Sequence, residues 1–222
     1  MLGVFDIVGP VMIGPSSSHT AGAVRLGRMA LAVLAAKPVK AEITLHGSFA
    51  TTGKGHGTDL ALIAGILGMK TDDENIVNAY QLAEEQGLEV ILTTADLGVV
   101  HPNTAKIVVT DATGRKRTIV GASVGGGNIL VSQINNFEVH LTGDYHTVCA
   151  VYRDRLGMIA KVSELMAQAK INIARMHVSR KGRTGNALMV VETDDCIPEE
   201  TVMAIRNLKE IDNAFILKPV ID

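Results

Sequence analysis

The chain has 222 residues and a formal charge of −2 at pH 7, with 47% hydrophobic and 20% charged residues. This length and composition indicate a globular protein with two domains of modest size and exclude a disordered chain. Lysine and arginine form no phosphate-binding stripe and no apolar run reaches the roughly 18 residues of a membrane span, so we expect a cytoplasmic protein without nucleic-acid or membrane partners.

The first predicted elements are a helix and a strand. Residues 21–36 are apolar except for Arg25 and Arg28, which predicts a buried helix, with Ser18 or Thr20 as its N-cap. Residues 39–46 alternate between apolar and polar side chains, the period of a half-buried strand. The glycines between positions 47 and 57 then predict a loop.

The next predicted elements are two helices, at 59–67 and 74–86, the second ended by Gly87. Several strand-like runs follow between residues 88 and 134. Turn signals interrupt them at 111–114 and at 125–127.

The pattern changes near Gly143. From Thr147 onward the order becomes strand, helix, strand, strand, helix, strand, which is the βαββαβ unit of ferredoxin-like domains. The predicted elements lie at 147–152, 158–169, 171–180, 186–193, 198–208 and 211–217. We therefore predict a mixed α/β (α+β) protein with one domain at 1–142 and a ferredoxin-like domain at 146–222.

The loop before the first helix concentrates polar groups. Its hydroxyls and its histidine come from Ser16, Ser17, Ser18, His19 and Thr20. Free amides at a helix N-terminus attract a carboxylate or phosphate, and hydroxyls complete the hydrogen bonds of that anion. The loop is thus either an anion site or a capped loop with a hydroxyl cluster.

The predicted glycine-rich loop carries Lys54 and His56. It is not a Walker A loop, because Gly55 follows the lysine where a serine or threonine is needed. A histidine between two glycines is accessible, and histidine suits proton transfer near pH 7. His56 is thus either a general base or an exposed turn residue.

The remaining histidines are predicted to have structural roles. His101 lies at a turn signal, and His140, His146 and His177 flank or occupy predicted strands without metal-ligand spacing.

Five segments together resemble the beta portion of bacterial iron–sulfur L-serine dehydratases. They are Val4-Phe5-Asp6-Ile7, Gly14-Pro15-Ser16-Ser17-Ser18-His19-Thr20, His46-Gly47-Ser48, Thr52-Gly53-Lys54-Gly55-His56-Gly57-Thr58-Asp59 and His101-Pro102-Asn103. The resemblance covers roughly the first 140 residues, and the remainder resembles an ACT domain. The beta portion of this family is itself similar to the allosteric substrate-binding domain of some phosphoglycerate dehydrogenases.

This resemblance implies a [4Fe–4S] cluster with cysteine ligands. The chain has only Cys149 and Cys196, far apart and without Cys-x-x-Cys spacing, so no metal site or disulfide framework is predicted within it. The resemblance implies that a separate alpha subunit holds the cluster and binds this chain as a partner. The implied reaction converts L-serine to pyruvate and ammonia through removal of the α-proton and the β-hydroxyl.

The resemblance also suggests roles for the two loops. His56 is the expected base or its relay, with His19 second. Lys54 is expected to offset charge on the substrate carboxylate, which Ser16, Ser17, Ser18 and Thr20 would bind. The rival hypothesis is a purely regulatory chain without catalytic groups.

In the ACT segment, the expected amino-acid site lies between the first strand and the first helix. Its expected residues are Asp154, Arg155, Leu156, Gly157 and Asn172, at an interface between two copies of the chain. The alternative is that this domain only mediates self-association.

Overall fold

The computed structural model describes residues 10–182 and 185–221, so the Val4 to Ile7 segment lies outside the described part. The chain divides into two units. The first runs to Asn136 and includes residues 140–143 and the chain end from Val220; the second takes residues 137–139 and 144–219. The limits 1–142 and 146–222 stay a prediction.

The first sheet has six strands: β1 (Pro38–Leu45), β2 (Glu89–Thr94), β3 (Thr104–Asp111), β4 (Lys116–Gly125), β5 (Asn128–Ile134) and β6 (Phe137–Leu141). Their order is β2-β1-β3-β4-β5-β6. Strands β1 and β2 are parallel, whereas β1, β3, β4 and β5 pair antiparallel in succession. The alternation predicted for β1 is confirmed, since Ala41, Ile43 and Leu45 are buried.

The helices of the first unit are α1 (Gly22–Leu34), α2 (Gly47–His56), α3 (Thr58–Ile66) and α4 (Ala79–Glu85), with a 3₁₀ turn at Glu74–Asn78 before α4. Helix α1 contacts β3, β4, β5 and α3. A Cβ added at Gly27 would overlap the carbonyl of Leu62, and one added at Gly65 would overlap the carbonyl of Val24. Only glycine lets these two helices approach so closely.

The prediction of a loop at residues 47–57 is wrong, because most of this segment forms helix α2. Burial of Phe49 and the hydrogen bond from the Ser48 amide to the carbonyl of Pro102 tie this segment to the unit. Tertiary contacts of this kind override the low helix propensity of glycine. The helix ends at Gly57, which is left-handed with φ 67°.

The predicted caps of the first helix are also wrong. A π-helical turn at Ser17–Ala21 precedes α1, and the side chain of Ser16 caps that turn by accepting from the amide of His19. Ala21 occupies the N-cap position of α1. Single π-helical turns within helices are frequent at functional sites.

The second unit has the predicted βαββαβ order: β7 (His146–Arg153), α5 (Met158–Gln168), β8 (Ile173–Arg180), β9 (Asn186–Thr193), α6 (Glu199–Arg206) and β10 (Ile211–Leu217). The sheet order is β10-β7-β9-β8, with every pair antiparallel. Val162 and Met166 of α5 pack with Val148 and Val191 in its core. Pro198 is the N-cap residue of α6.

Candidate active site

The π-helical turn leaves two hydroxyls free. Ser17 and Ser18 are half-buried, and neither side chain forms a hydrogen bond with any residue that the structure describes. Ser16 is used as the cap, and Thr20 is buried with its hydroxyl 3.5 Å from the carbonyl of His56. Two of the four predicted substrate-binding side chains are thus available to a ligand, and the other two hold the turn in place.

His19 projects from this turn onto helix α2. Its Nε2 lies 3.0 Å from Thr52 Oγ1 and 3.2 Å from Ser48 Oγ. Its ring meets Phe49 edge to face, with 5.3 Å between ring centroids. These contacts fix the orientation of the imidazole.

The hydrogen bonds indicate the tautomer of His19. The Thr52 hydroxyl lies 2.9 Å from the Ser48 carbonyl, which only accepts, so Thr52 donates there. The Thr52 oxygen is then free to accept from Nε2–H of His19 at 3.0 Å. We assign the proton to Nε2, which leaves Nδ1 as the basic nitrogen.

His56 ends helix α2 on the same face as Ser48 and Thr52, which lie eight and four residues before it. Its Nδ1 is 2.9 Å from the carbonyl of Thr52 and donates to it, so Nε2 carries the free lone pair. The rings of His56 and His19 lie 4.9 Å apart between centroids. The fold therefore brings together two bases predicted in separate loops.

The electrostatics of the pair favour a neutral His19. Burial lowers the pKa of His19 from its ordinary value of 6.5, and the neighbouring His56 lowers it further. A hydrogen bond with the backbone of Ser48 opposes this shift. A histidine that stays unprotonated near neutral pH is suited to accept a proton.

Lys54 does not join the two histidines. It lies two residues before His56 on another face of α2, is exposed, and lines a separate cavity with Asp59 and Tyr80. The structure thus separates the three residues predicted to be catalytic into a histidine pair and a lone lysine.

Ser48 and Thr52 belong to the site, although neither was predicted as a site residue. Ser48, Thr52 and His56 are spaced four residues apart. This spacing places them on one face only if the segment is a helix, and a loop was predicted there. The His101-Pro102-Asn103 motif lies against the start of α2. A Cβ at Gly47, where φ is 56°, would be 2.6 Å from the carbonyl of Pro102.

The predicted amino-acid site of the second unit coincides with a cavity of about 640 Å³. Asp154, Arg155, Leu156 and Gly157 all line it, and Asp154 pairs with Arg180 at 3.2 Å. Asn172 is exposed, precedes β8 rather than beginning it, and does not line this cavity.

The residues of this chain do not fit an iron–sulfur cluster. Cys149 is buried in β7 and Cys196 is exposed after β9, and both are free. Within residues 10–182 and 185–221, no three histidine, cysteine, aspartate or glutamate side chains are grouped to hold a metal ion. No helix of the described part is long and apolar enough to cross a membrane.

Comparison with known proteins identifies both halves of the chain. Residues 3–134 match the serine dehydratase beta chain family, and residues 147–210 match the ACT domain. The chain is 44% identical to a probable L-serine dehydratase beta chain of Bacillus subtilis (strain 168), over 94% of both chains.

Two further relatives are similar to this chain. The L-serine dehydratase beta chain of Peptoniphilus asaccharolyticus is 38% identical over 95% of each chain. A D-3-phosphoglycerate dehydrogenase of Synechocystis is 27% identical over 79% of this chain but only 32% of its own length. On the family match and the two beta chains, this chain belongs to the serine dehydratase beta-chain family.

Proposed function

We propose that this chain, together with an alpha subunit, converts L-serine to pyruvate and ammonia. The support is its near full-length similarity to two chains named as L-serine dehydratase beta chains. A chain named beta implies a partner subunit. The single structural observation that carries a catalytic role is the contact between His19 and His56 beside a turn with two free hydroxyls.

The hydroxyl-rich turn is the proposed carboxylate site. Ser17 and Ser18 are half-buried, unbonded within the described residues, and carried on a helical N-terminus. Amides at such a terminus and hydroxyl donors both favour an anion. Bound there, the carboxylate of serine would lie next to His19, which belongs to the same turn.

The two histidines are the proposed proton carriers. His56 presents Nε2 because Thr52 holds its Nδ1, and His19 presents Nδ1 because Thr52 holds its Nε2. In this proposal His56 removes the α-proton, and the β-hydroxyl leaves with a proton as water, which gives 2-aminoacrylate. This product tautomerises to an imine, and water hydrolyses the imine to pyruvate and ammonia. His19 is the second candidate for the base.

The cluster belongs to the alpha subunit in this proposal. A [4Fe–4S] cluster needs three or four cysteine thiolates, whereas this chain has two in unlike environments. Burial also raises the pKa of the Cys149 thiol, which opposes the thiolate form that metals bind. Accordingly, no step of the chemistry assigned to this chain passes through the cluster.

A second candidate function is regulation alone. The similarity to a D-3-phosphoglycerate dehydrogenase over 79% of the chain favours it, because that protein is named for a different reaction and is matched over only 32% of its own length. Under this alternative, the histidine pair would be a structural contact and the chain would only modulate its partner.

Co-expression tests the proposal. The chain is produced anaerobically with the cysteine-rich alpha chain of its organism, and pyruvate formation from L-serine is measured for the complex and for each chain alone. We expect activity in the complex only, and cluster absorbance only in preparations that contain the alpha chain. An active [4Fe–4S] product formed by the beta chain alone would overturn the assignment of the cluster.

A further inference from the structure

A cavity lined by two charged residues lies at the carboxyl ends of the parallel strands. Leu45 ends β1, Thr94 ends β2, and the two are register partners that both line a cavity of about 290 Å³. In α/β sheets, ligands bind at the carboxyl ends of parallel strands. This cavity is distinct from the histidine pair, which lies on another face of α2.

Opposite charges line this cavity without pairing with each other. Lys54 comes from α2 and Asp59 from α3, on either side of the left-handed Gly57. Asp59 accepts a hydrogen bond of 3.2 Å from the hydroxyl of Tyr80. Lys54 has no ion pair or hydrogen bond with any residue in the described part of the chain. A ligand that carries both charges would satisfy both groups.

The geometry of Asp59 leaves it able to accept again. The bond from Tyr80 goes to Oδ2, so Oδ1 remains open to a donor. Burial, followed by the neighbouring Asp59, raises the pKa of Tyr80 to about 12. The phenol is therefore protonated over the physiological range and holds the carboxylate in one orientation.

Apart from Thr94, the other residues that line the cavity are apolar. Leu45 and Phe49 are buried, and Leu92 is 39% exposed on β2 although it is a large aliphatic residue. The volume of about 290 Å³ lies just below the roughly 300 to 1,000 Å³ that is typical of ligand cavities. The cavity thus fits a small molecule with an aliphatic part.

We propose that this cavity binds a small free α-amino acid. Lys54 contacts its carboxylate, Asp59 contacts its ammonium group, and its aliphatic side chain packs on Leu45 and Leu92. The inference goes beyond the dehydratase reaction and does not depend on it. Phe49 connects the two sites, because it lines this cavity and also contacts the ring of His19.

The test uses the full chain with methyl-labelled leucine and valine. L-valine is titrated to millimolar concentration and compared with isovalerate, which lacks the ammonium group, and with isobutylamine, which lacks the carboxylate. We expect shifts of the Leu45 and Leu92 methyl signals with L-valine, and at least about tenfold weaker binding of each analogue, since loss of one charged contact commonly costs a factor of ten or more.

Variants complete the test. Lys54→Met and Asp59→Asn should each weaken valine binding about tenfold or more, whereas Lys70→Met, which removes an exposed lysine away from the cavity, should leave it unchanged. Circular dichroism confirms that each variant is folded. Equal binding of valine and isovalerate, or unaltered affinity in both variants, would overturn the proposal. So would shifts confined to methyls of the second unit such as Val178.

Discussion

The hydroxyl of Thr52 lies 3.0 Å from Nε2 of His19, while the carbonyl of the same residue lies 2.9 Å from Nδ1 of His56. One residue therefore sets the protonated nitrogen of both imidazoles. The two histidines present opposite ring nitrogens, Nδ1 from His19 and Nε2 from His56. This arrangement makes Thr52 a positioning residue in the proposed reaction.

The tautomer of His19 is the first testable consequence. In the double variant Ser48→Ala/Thr52→Val, Nε2 loses both hydroxyl partners, so we expect a mixture of the two neutral tautomers. Thr52→Ser keeps a hydroxyl and should keep Nε2–H. Long-range ¹H–¹⁵N NMR spectra of the chain at a pH above the histidine pKa distinguish these outcomes. An Nδ1–H form in the unaltered protein would refute the hydrogen-bond assignment.

The lowered pKa of His19 is the second testable consequence. We expect this pKa to lie below 6.5, and we expect His56→Ala to raise it only part of the way toward 6.5, because burial is the larger cause of the shift. A group with a lowered pKa stabilises the fold above its unfolded pKa, and this stability is lost as pH falls through the folded value. NMR titration of the His19 ring protons measures the shift. A pKa unchanged by His56→Ala would show that the rings are not coupled.

The close crossing of α1 and α3 allows a stability prediction. Gly65→Ala places a methyl group against the carbonyl of Val24, so we expect a loss of about 1 to 3 kcal/mol in the free energy of unfolding, as for other overpacked sites. Gly55→Ala is the matched control, since nothing lies within 4 Å of its Cβ and alanine favours a helix. Urea denaturation of both variants gives the comparison. Equal stability of Gly65→Ala and the parent chain would contradict the packing argument.

The helices and strands of the second unit were predicted more accurately than those of the first. Strands β9 and β10 fall at the predicted positions because each is a short run rich in apolar residues, and both contribute residues to one small core. Helix α2 differs from the predicted loop because its glycines and hydroxyls favour a loop locally, whereas burial of Phe49 and the hydrogen bond to the Pro102 carbonyl are tertiary contacts that a local pattern does not contain. The contact between His19 and His56 depends on that helix, so no local pattern predicts it.

Self-association through the second unit is the fourth prediction. Leu156 is fully exposed and Ile159 is 52% exposed, and both line the cavity near the start of α5. Burying such side chains between copies of the chain would stabilise a dimer. We expect Leu156→Asp to shift the chain toward monomer in sedimentation equilibrium, whereas Val11→Asp, which alters an exposed aliphatic residue of the first unit, should not. A monomeric parent chain at high concentration would contradict the prediction.

The last prediction concerns which residue is the general base, and its outcome distinguishes a catalytic chain from a purely regulatory one. In the complex with the alpha chain, His56→Ala should lower kcat by about 10² to 10⁴, the usual contribution of a general base. His177→Ala removes an exposed histidine of β8 and serves as the matched control, with no loss expected. Both are compared at saturating L-serine with the cluster quantified in each preparation, because incomplete assembly would also lower the rate. A regulatory chain would show a change in effector response with kcat largely retained.

If the His56→Ala variant keeps more than about a tenth of the parent kcat, His56 is not the base, because loss of a general base lowers the rate by at least about 10². His19→Ala then decides whether the pair contributes to chemistry at all, since retained activity there would leave proton transfer to the alpha subunit.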